Sequence, residues 1–239
     1  MPGAPPRAQS DWNPGKNMPT ADLKKDIVYR RIRELIISGA VRMGAKLSEG
    51  ALEARLHANK APIRDALKRL QAEHLVLRRP KSGTYVFTLT PGELDDLLHF
   101  RFTIESEALK LSLAREPVLL SRELDIVVES MGESLDAGRI QEYLRLDSRF
   151  HELIVSHCGN RYFIEAYTLA SALMDTVRNC LGTSPVHLQR SIGEHQRMAD
   201  AIRSRSFDGF MQVFRTHVLA EDGSYWSEEN VGAQLSGEE

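Results

Sequence analysis

The chain has 239 residues, of which 42% are hydrophobic and 27% charged, and its formal net charge is −2 at pH 7. That composition fits a globular chain of one large or two small domains, and no apolar run reaches the length of a membrane-spanning helix. The small net charge hides a split: residues 21–90 hold 15 Lys+Arg against 7 Asp+Glu, whereas residues 91–239 hold 14 against 25.

Residues 1–20 are rich in Pro, Gly, Asn and Ser and read as a disordered tail. The opening MPGAPPRAQSDWNPGK lacks the apolar stretch of a secretory signal, so a cytoplasmic location is expected. Cys158 and Cys180 are the only cysteines, which argues against a disulfide framework and for buried free thiols.

The first helix is expected over residues 23–38, with Ile27, Ile32, Leu35 and Ile36 on its apolar face and Gly39 as its stop. A second starts at Ser48, an N-cap residue, and carries Ala51, Leu52 and Leu56 inward. A third starts at Asn59, again read as an N-cap. Its inward side is Ile63, Ala66, Leu67 and Leu70, and Pro62 falls in the first turn, where a missing N–H costs little. Leu75–Leu77 and Thr84–Phe87 then read as strands joined by a basic turn containing Pro80 and Gly83. Two short helices linked tightly around His57–Asn59 and followed by a hairpin make a winged helix-turn-helix.

A boundary follows at Thr90-Pro91-Gly92-Glu93, which has the pattern of a capping box with Pro at the first helical position. From there to about Trp226 the pattern is helical, with breaks near Glu116–Pro117, Gly138, Gly159–Asn160, Gly182–Pro185 and Ser206–Gly209. The expected fold is therefore mostly α. It joins a winged helix-turn-helix (residues 21–90) to an all-α antiparallel bundle of six or seven helices (residues 91–228), and residues 229–239 form a second disordered tail. The basic part suits phosphate neutralisation, and the acidic part should face away from DNA.

On the third helix, Lys60, Arg64, Lys68 and Arg69 lie off the apolar face. Lys60 and Arg64 project together near the helix N-terminus, the end that meets base edges in a major groove. Arg64 can donate two hydrogen bonds to a guanine, and Lys60 can meet a base or a phosphate. In the wing, Lys81 adds charge and Gly83 allows close backbone approach. Taken alone, this basic face could equally be a solvated helix surface.

The segment IISGAVRMGAKLSEGALEARLHANKAPIRDALKRLQAEHLVLRRPKSGTYV resembles the N-terminal domain of GntR-family regulators. The shared landmarks are Gly39, the Gly44 and Leu47 turn, the run from Pro62 to Leu67, and Gly83. The resemblance implies a homodimer on a short palindromic operator, with Asn59, Lys60, Ala61, Arg64, Lys68, Lys81 and Gly83 as the DNA-facing residues. Asn59-Lys60 stands where the family usually has Ser-Arg, and Gly50 where some members carry a DNA-contacting arginine, so the operator is expected to differ.

In the acidic part, Asp147 and His151 share one helix face, and His195 and His217 lie in later helical patterns. Three imidazoles and a carboxylate suit a first-row divalent ion, but each histidine alone reads more readily as a hydrogen-bonded core residue. His57, His74, His99, His157 and His187 are read as structural.

This part resembles the helical FCD domain of the FadR-type GntR subgroup, and the resemblance implies a metal, Zn or Ni, at Asp147, His151, His195 and His217. It also implies a small carboxylate effector on the ion's open positions. Arg101 matches an arginine of the domain's first helix, where it anchors the effector or pairs with Glu105, and Arg178 is a further candidate for the same cavity. The expected function is a ligand-responsive repressor that is not an enzyme. The alternatives are a metal-dependent hydrolase with an appended DNA-binding domain, or a regulator with a purely structural metal.

Overall fold

The computed structural model describes residues 20–220 and Trp226, with side chains from Lys25 onward. The two expected tails, apart from Thr20, lie outside the described residues.

Helix α1 (Thr20–Ile37) packs on α3 (Lys60–Ala72), with the short α2 (Glu49–Leu56) beside it. The inward stripe of α1 is Val28, Ile32 and Ile36, spaced four apart, with Leu35 half-buried at its edge. Ile27, expected inward, is 37% exposed, because a stripe in register with Ile32 and Ile36 passes through position 28. Ala51 of α2 is likewise exposed, while Leu52 and Leu56 are buried. The Ser48 side chain accepts from Ala51 N as an N-cap. Asn59 occupies the N-cap position of α3 in extended backbone, but its side chain makes no cap hydrogen bond.

The wing is an antiparallel sheet in the order β1 (Lys46–Leu47), β3 (Gly83–Val86), β2 (Val76–Arg79). The two-residue β1 was not expected; it exists only through its pairing with Thr84 and Tyr85.

Thr90 closes the wing and caps α4 (Pro91–Arg115). Its hydroxyl accepts from Glu93 N, and the Glu93 carboxylate accepts from Thr90 N, so the expected capping box forms. The bundle continues through α5 (Pro117–Asp136), α6 (Ile140–Ser156), α7 (Arg161–Leu181), α8 (Pro185–Arg203) and α9 (Phe207–Val218). That makes six helices among the described residues, broken where the sequence suggested.

Helix α9 ends at Val218, where Leu219 turns extended, and Trp226 donates its indole N–H to the His217 carbonyl at 3.2 Å. The cluster of α5, α6, α8 and α9 is filled by Leu124, Met131, Phe150, Ile154, Met198, Phe210 and Phe214. A second apolar cluster joins the helix-turn-helix core to Leu94 and Leu98 of α4, Ala172, Val177 and Leu181 of α7, and Trp226.

Candidate metal centre and DNA-facing surface

The strongly amphipathic α6 turns Phe150, Leu153 and Ile154 into the bundle and carries Asp147 and His151 on the same buried side. His195 of α8 and His217 of α9 meet them. One ligand atom from each of the four lies within 4.8 Å of all the others, and all four residues are buried. The structure thus brings together the four residues singled out from sequence.

The imidazole tautomers follow from their outer partners. His151 Nδ1 meets Glu105 Oε2 at 2.7 Å, His217 Nδ1 meets Glu194 Oε2 at 2.7 Å, and His195 Nδ1 meets the Ser191 carbonyl at 2.8 Å. A carboxylate and a backbone carbonyl only accept, so each Nδ1 carries the hydrogen and each Nε2 offers a lone pair. His151 Nε2 lies 3.3 Å from both His195 Nε2 and His217 Nε2.

Lone pairs so placed repel one another unless a cation sits between them. Burial holds His151 well below its ordinary pKa and lowers His195 to about 3, so these two rings stay neutral. A divalent ion with bonds of about 2.0–2.1 Å to imidazole separates tetrahedral ligands by roughly 3.3 Å. The donor set therefore fits such an ion in both chemistry and spacing.

Burial works to raise the Asp147 pKa, but Arg178 and the three imidazoles hold it far below the ordinary carboxylate range. Arg178 Nη1 approaches Asp147 Oδ2 to 2.5 Å, although the contact is not aligned as a hydrogen bond and Oδ2 has no such partner. Arg178 also pairs with Asp175 and donates to Ser148 Oγ.

Arg101 Nε donates to Glu105 Oε1 at 2.9 Å, so the expected pairing one turn on is present. Burial pushes the Glu105 carboxyl up and Arg101 draws it back. Its Oε1 accepts from Arg101 Nε and its Oε2 faces His151 Nδ1. Arg101 Nη2 and Arg178 Nε are buried N–H donors without a hydrogen-bond partner among the described residues.

The outer partners Glu194 and the Ser191 carbonyl were not identified from sequence. Only the i, i+4 pair of Arg190 and Glu194, which meet at 2.7 Å, carries a local signal for one of them. Burial would raise Glu194, but its bonds to His217 and Arg190 lower it to about 2.

On α3, Ile63, Ala66, Leu67 and Leu70 are buried, while Asn59, Lys60, Ala61, Arg64 and Lys68 are exposed. Lys81 at the wing tip is exposed with φ 60°. Gly83 has φ 126°, and a Cβ there would sit 3.0 Å from Lys46 Cε, so the wing needs glycine at this position. Arg69 is tied to Asp26 at 2.7 Å and lies over the Tyr29 ring, so it serves the α1–α3 contact. Lys25–Asp65 and Arg33–Glu73 do the same. Arg64 instead pairs across to Glu49 of α2, with Nε 2.9 Å from Oε2.

Residues 24–86 match the model of the bacterial regulatory proteins of the gntR family, and residues 96–220 match that of the FCD domain. The chain is 27% identical to the gluconate operon transcriptional repressor of Bacillus licheniformis over 74% of each chain. It is 26% identical to the transcriptional repressor GlaR of Escherichia coli K12, over 80% of this chain and 90% of that one. Among solved structures, a GntR transcriptional regulator from Rhodococcus sp. RHA1 superposes with a TM-score of 0.71 at 20% identity, covering 91% of this chain and 99% of that one. No described helix is long and apolar enough to cross a membrane.

Proposed function

The chain belongs to the gntR family of bacterial transcriptional regulators, with a C-terminal FCD domain, and on that premise we propose that it is a homodimeric, metal-dependent repressor responsive to a small carboxylate. In this reading, residues 21–90 bind a palindromic operator through Asn59, Lys60, Ala61, Arg64, Lys68, Lys81 and Gly83. Residues 91–228 dimerise and sense the effector, and the protein works in the cytoplasm as a binding protein without turnover.

One observation carries the metal assignment: three Nε2 lone pairs and the Asp147 carboxylate converge in a buried centre, with every Nδ1 already engaged. Asp147, His151, His195 and His217 would hold a divalent ion, Zn or Ni, whose chemistry here is to bind carboxylate oxygen. Arg101 and Arg178 would supply the cationic walls, since each keeps one buried N–H donor without a partner and a carboxylate is what such donors accept. A relative named for a gluconate operon agrees with a sugar-acid effector.

Metal analysis and native mass spectrometry of the purified full chain test this reading. One divalent ion per chain, lost in His151→Ala, is expected. Tightening or loosening of operator binding on titration with gluconate and related acids is expected of the metal-loaded protein alone. A metal-free wild type would overturn the reading.

The burial of all four ligands, none more than 6% exposed, favours a second reading in which the ion is purely structural. An ion that stays bound while no small acid changes operator affinity would select it.

A further inference from the structure

Glu49 opens α2, and its carboxylate faces the helix that the reading above sets against DNA. Acidic groups elsewhere along α3 are spoken for by α1: Asp65 meets Lys25, and Glu73 meets Arg33 and Tyr29. Glu49 is different, because its partner is Arg64 itself, at 2.9 Å. Unpaired, a carboxylate here would be repelled by phosphates and would weaken DNA binding.

We infer that Glu49 is a positioning residue that sets the base preference of Arg64. The contact is made through Nε, on the side of the guanidinium fork. It leaves both Nη groups without a hydrogen bond to any described residue. Those two terminal groups are the pair that matches O6 and N7 of guanine, so a carboxylate holding Nε fixes the plane of the fork and leaves its reading edge free.

Arg64 is 61% exposed, and without Glu49 its long side chain would sample many rotamers before meeting a base. Gly50, the next residue, offers no side chain to share the task. An ion pair this exposed adds little to folding, so its value lies in orientation. The inference rests on Arg64 being a base reader, as proposed above.

The test is selection from a randomised duplex library by the full-length wild type and its Glu49→Ala, Glu49→Gln and Arg64→Lys variants. Melting temperature is measured alongside. Wild type is expected to enrich guanine at one position in each half-site, and Arg64→Lys, which keeps the charge but loses the fork, should lose that preference. Glu49→Ala should lower preference at that position alone, on the order of tenfold, while binding unrelated duplex more tightly and melting like the wild type. Glu49→Gln keeps a hydrogen-bond acceptor and should fall between.

If Arg64→Lys changes the selected base but Glu49→Ala does not, Arg64 reads without Glu49 and the inference fails. Uniform weakening at every position in Glu49→Ala would likewise overturn it. If Arg64→Lys selects the wild-type sequence, the assignment of Arg64 as reader falls, and the inference falls with it.

Discussion

Asn179 Nδ2 donates to the Ile37 carbonyl at 2.7 Å, fastening the end of α7 to the last residue of α1. The residue before it, Arg178, holds Asp147 at the candidate metal centre. Adjacent residues of one helix thus touch the candidate metal centre and the winged helix-turn-helix. A change in Arg178's hold on Asp147 has a short, stiff route to the head.

Asn179→Ala should leave metal content unchanged and cost about 1 kcal/mol of stability by removing one hydrogen bond. It should also reduce the shift in operator affinity on metal removal by at least half. Paired titrations of wild type and variant, with and without chelator, measure this. An unchanged shift would place the coupling elsewhere.

His151→Ala removes one ligand and leaves the Glu105 carboxylate without its imidazole partner. Metal content should fall to near zero. For wild type, saturation at about 1,000 times Kd adds roughly 4 kcal/mol to stability. Chelation should therefore lower the wild-type melting temperature by several degrees and leave the variant's unmoved.

Arg64→Ala should weaken operator binding about 10- to 100-fold, the value of one bidentate base contact. Its stability should stay within about 0.5 kcal/mol of wild type because the side chain is exposed. Lys60→Ala should weaken binding to all duplexes alike and flatten the salt dependence by roughly one ion. Fluorescence anisotropy across a salt series separates the two.

His187 is buried against Trp226, and burial lowers its pKa to about 4. The unfolded imidazole gains its proton near pH 6.5, whereas the folded one stays neutral until about pH 4. The unfolded state therefore binds more protons in that window, and stability falls as the pH drops through it, by up to about 3 kcal/mol. His187→Leu should show a shallower loss between pH 6.5 and 4 in urea melts of the chelator-treated protein. Parallel curves for the two proteins would refute this.

Local features could be read directly from the sequence. The Thr90–Glu93 capping box, the α3 stripe from Ile63 to Leu70 and the helix breaks at Gly138 and Gly159 each depend on residues within one or two turns. Features made by chain crossing could not. Strand β1 needs Thr84 and Tyr85 opposite it, and Glu105 reaches His151 across 46 residues. The metal set lay between these extremes. The Asp147–His151 spacing was visible, but joining His195 and His217 to it needed the family resemblance. The Glu49–Arg64 pair was missed because α2 and α3 cross at an angle that spacing does not encode. The slip from Ile27 to Val28 shows that one residue of phase decides which isoleucine or valine is buried.

Trp226 belongs to the apolar cluster that unites the head with α4 and α7, and its indole hydrogen-bonds the backbone of a candidate metal ligand. Its surroundings therefore include a candidate metal ligand, the core of the helix-turn-helix and the imidazole of His187 at once. The chain has one other tryptophan, Trp12, near its start. With Trp12 replaced by phenylalanine, the intrinsic emission comes from a single indole at the junction of the two halves. The molecule then carries its own optical probe beside the candidate metal centre and the head, without any attached dye.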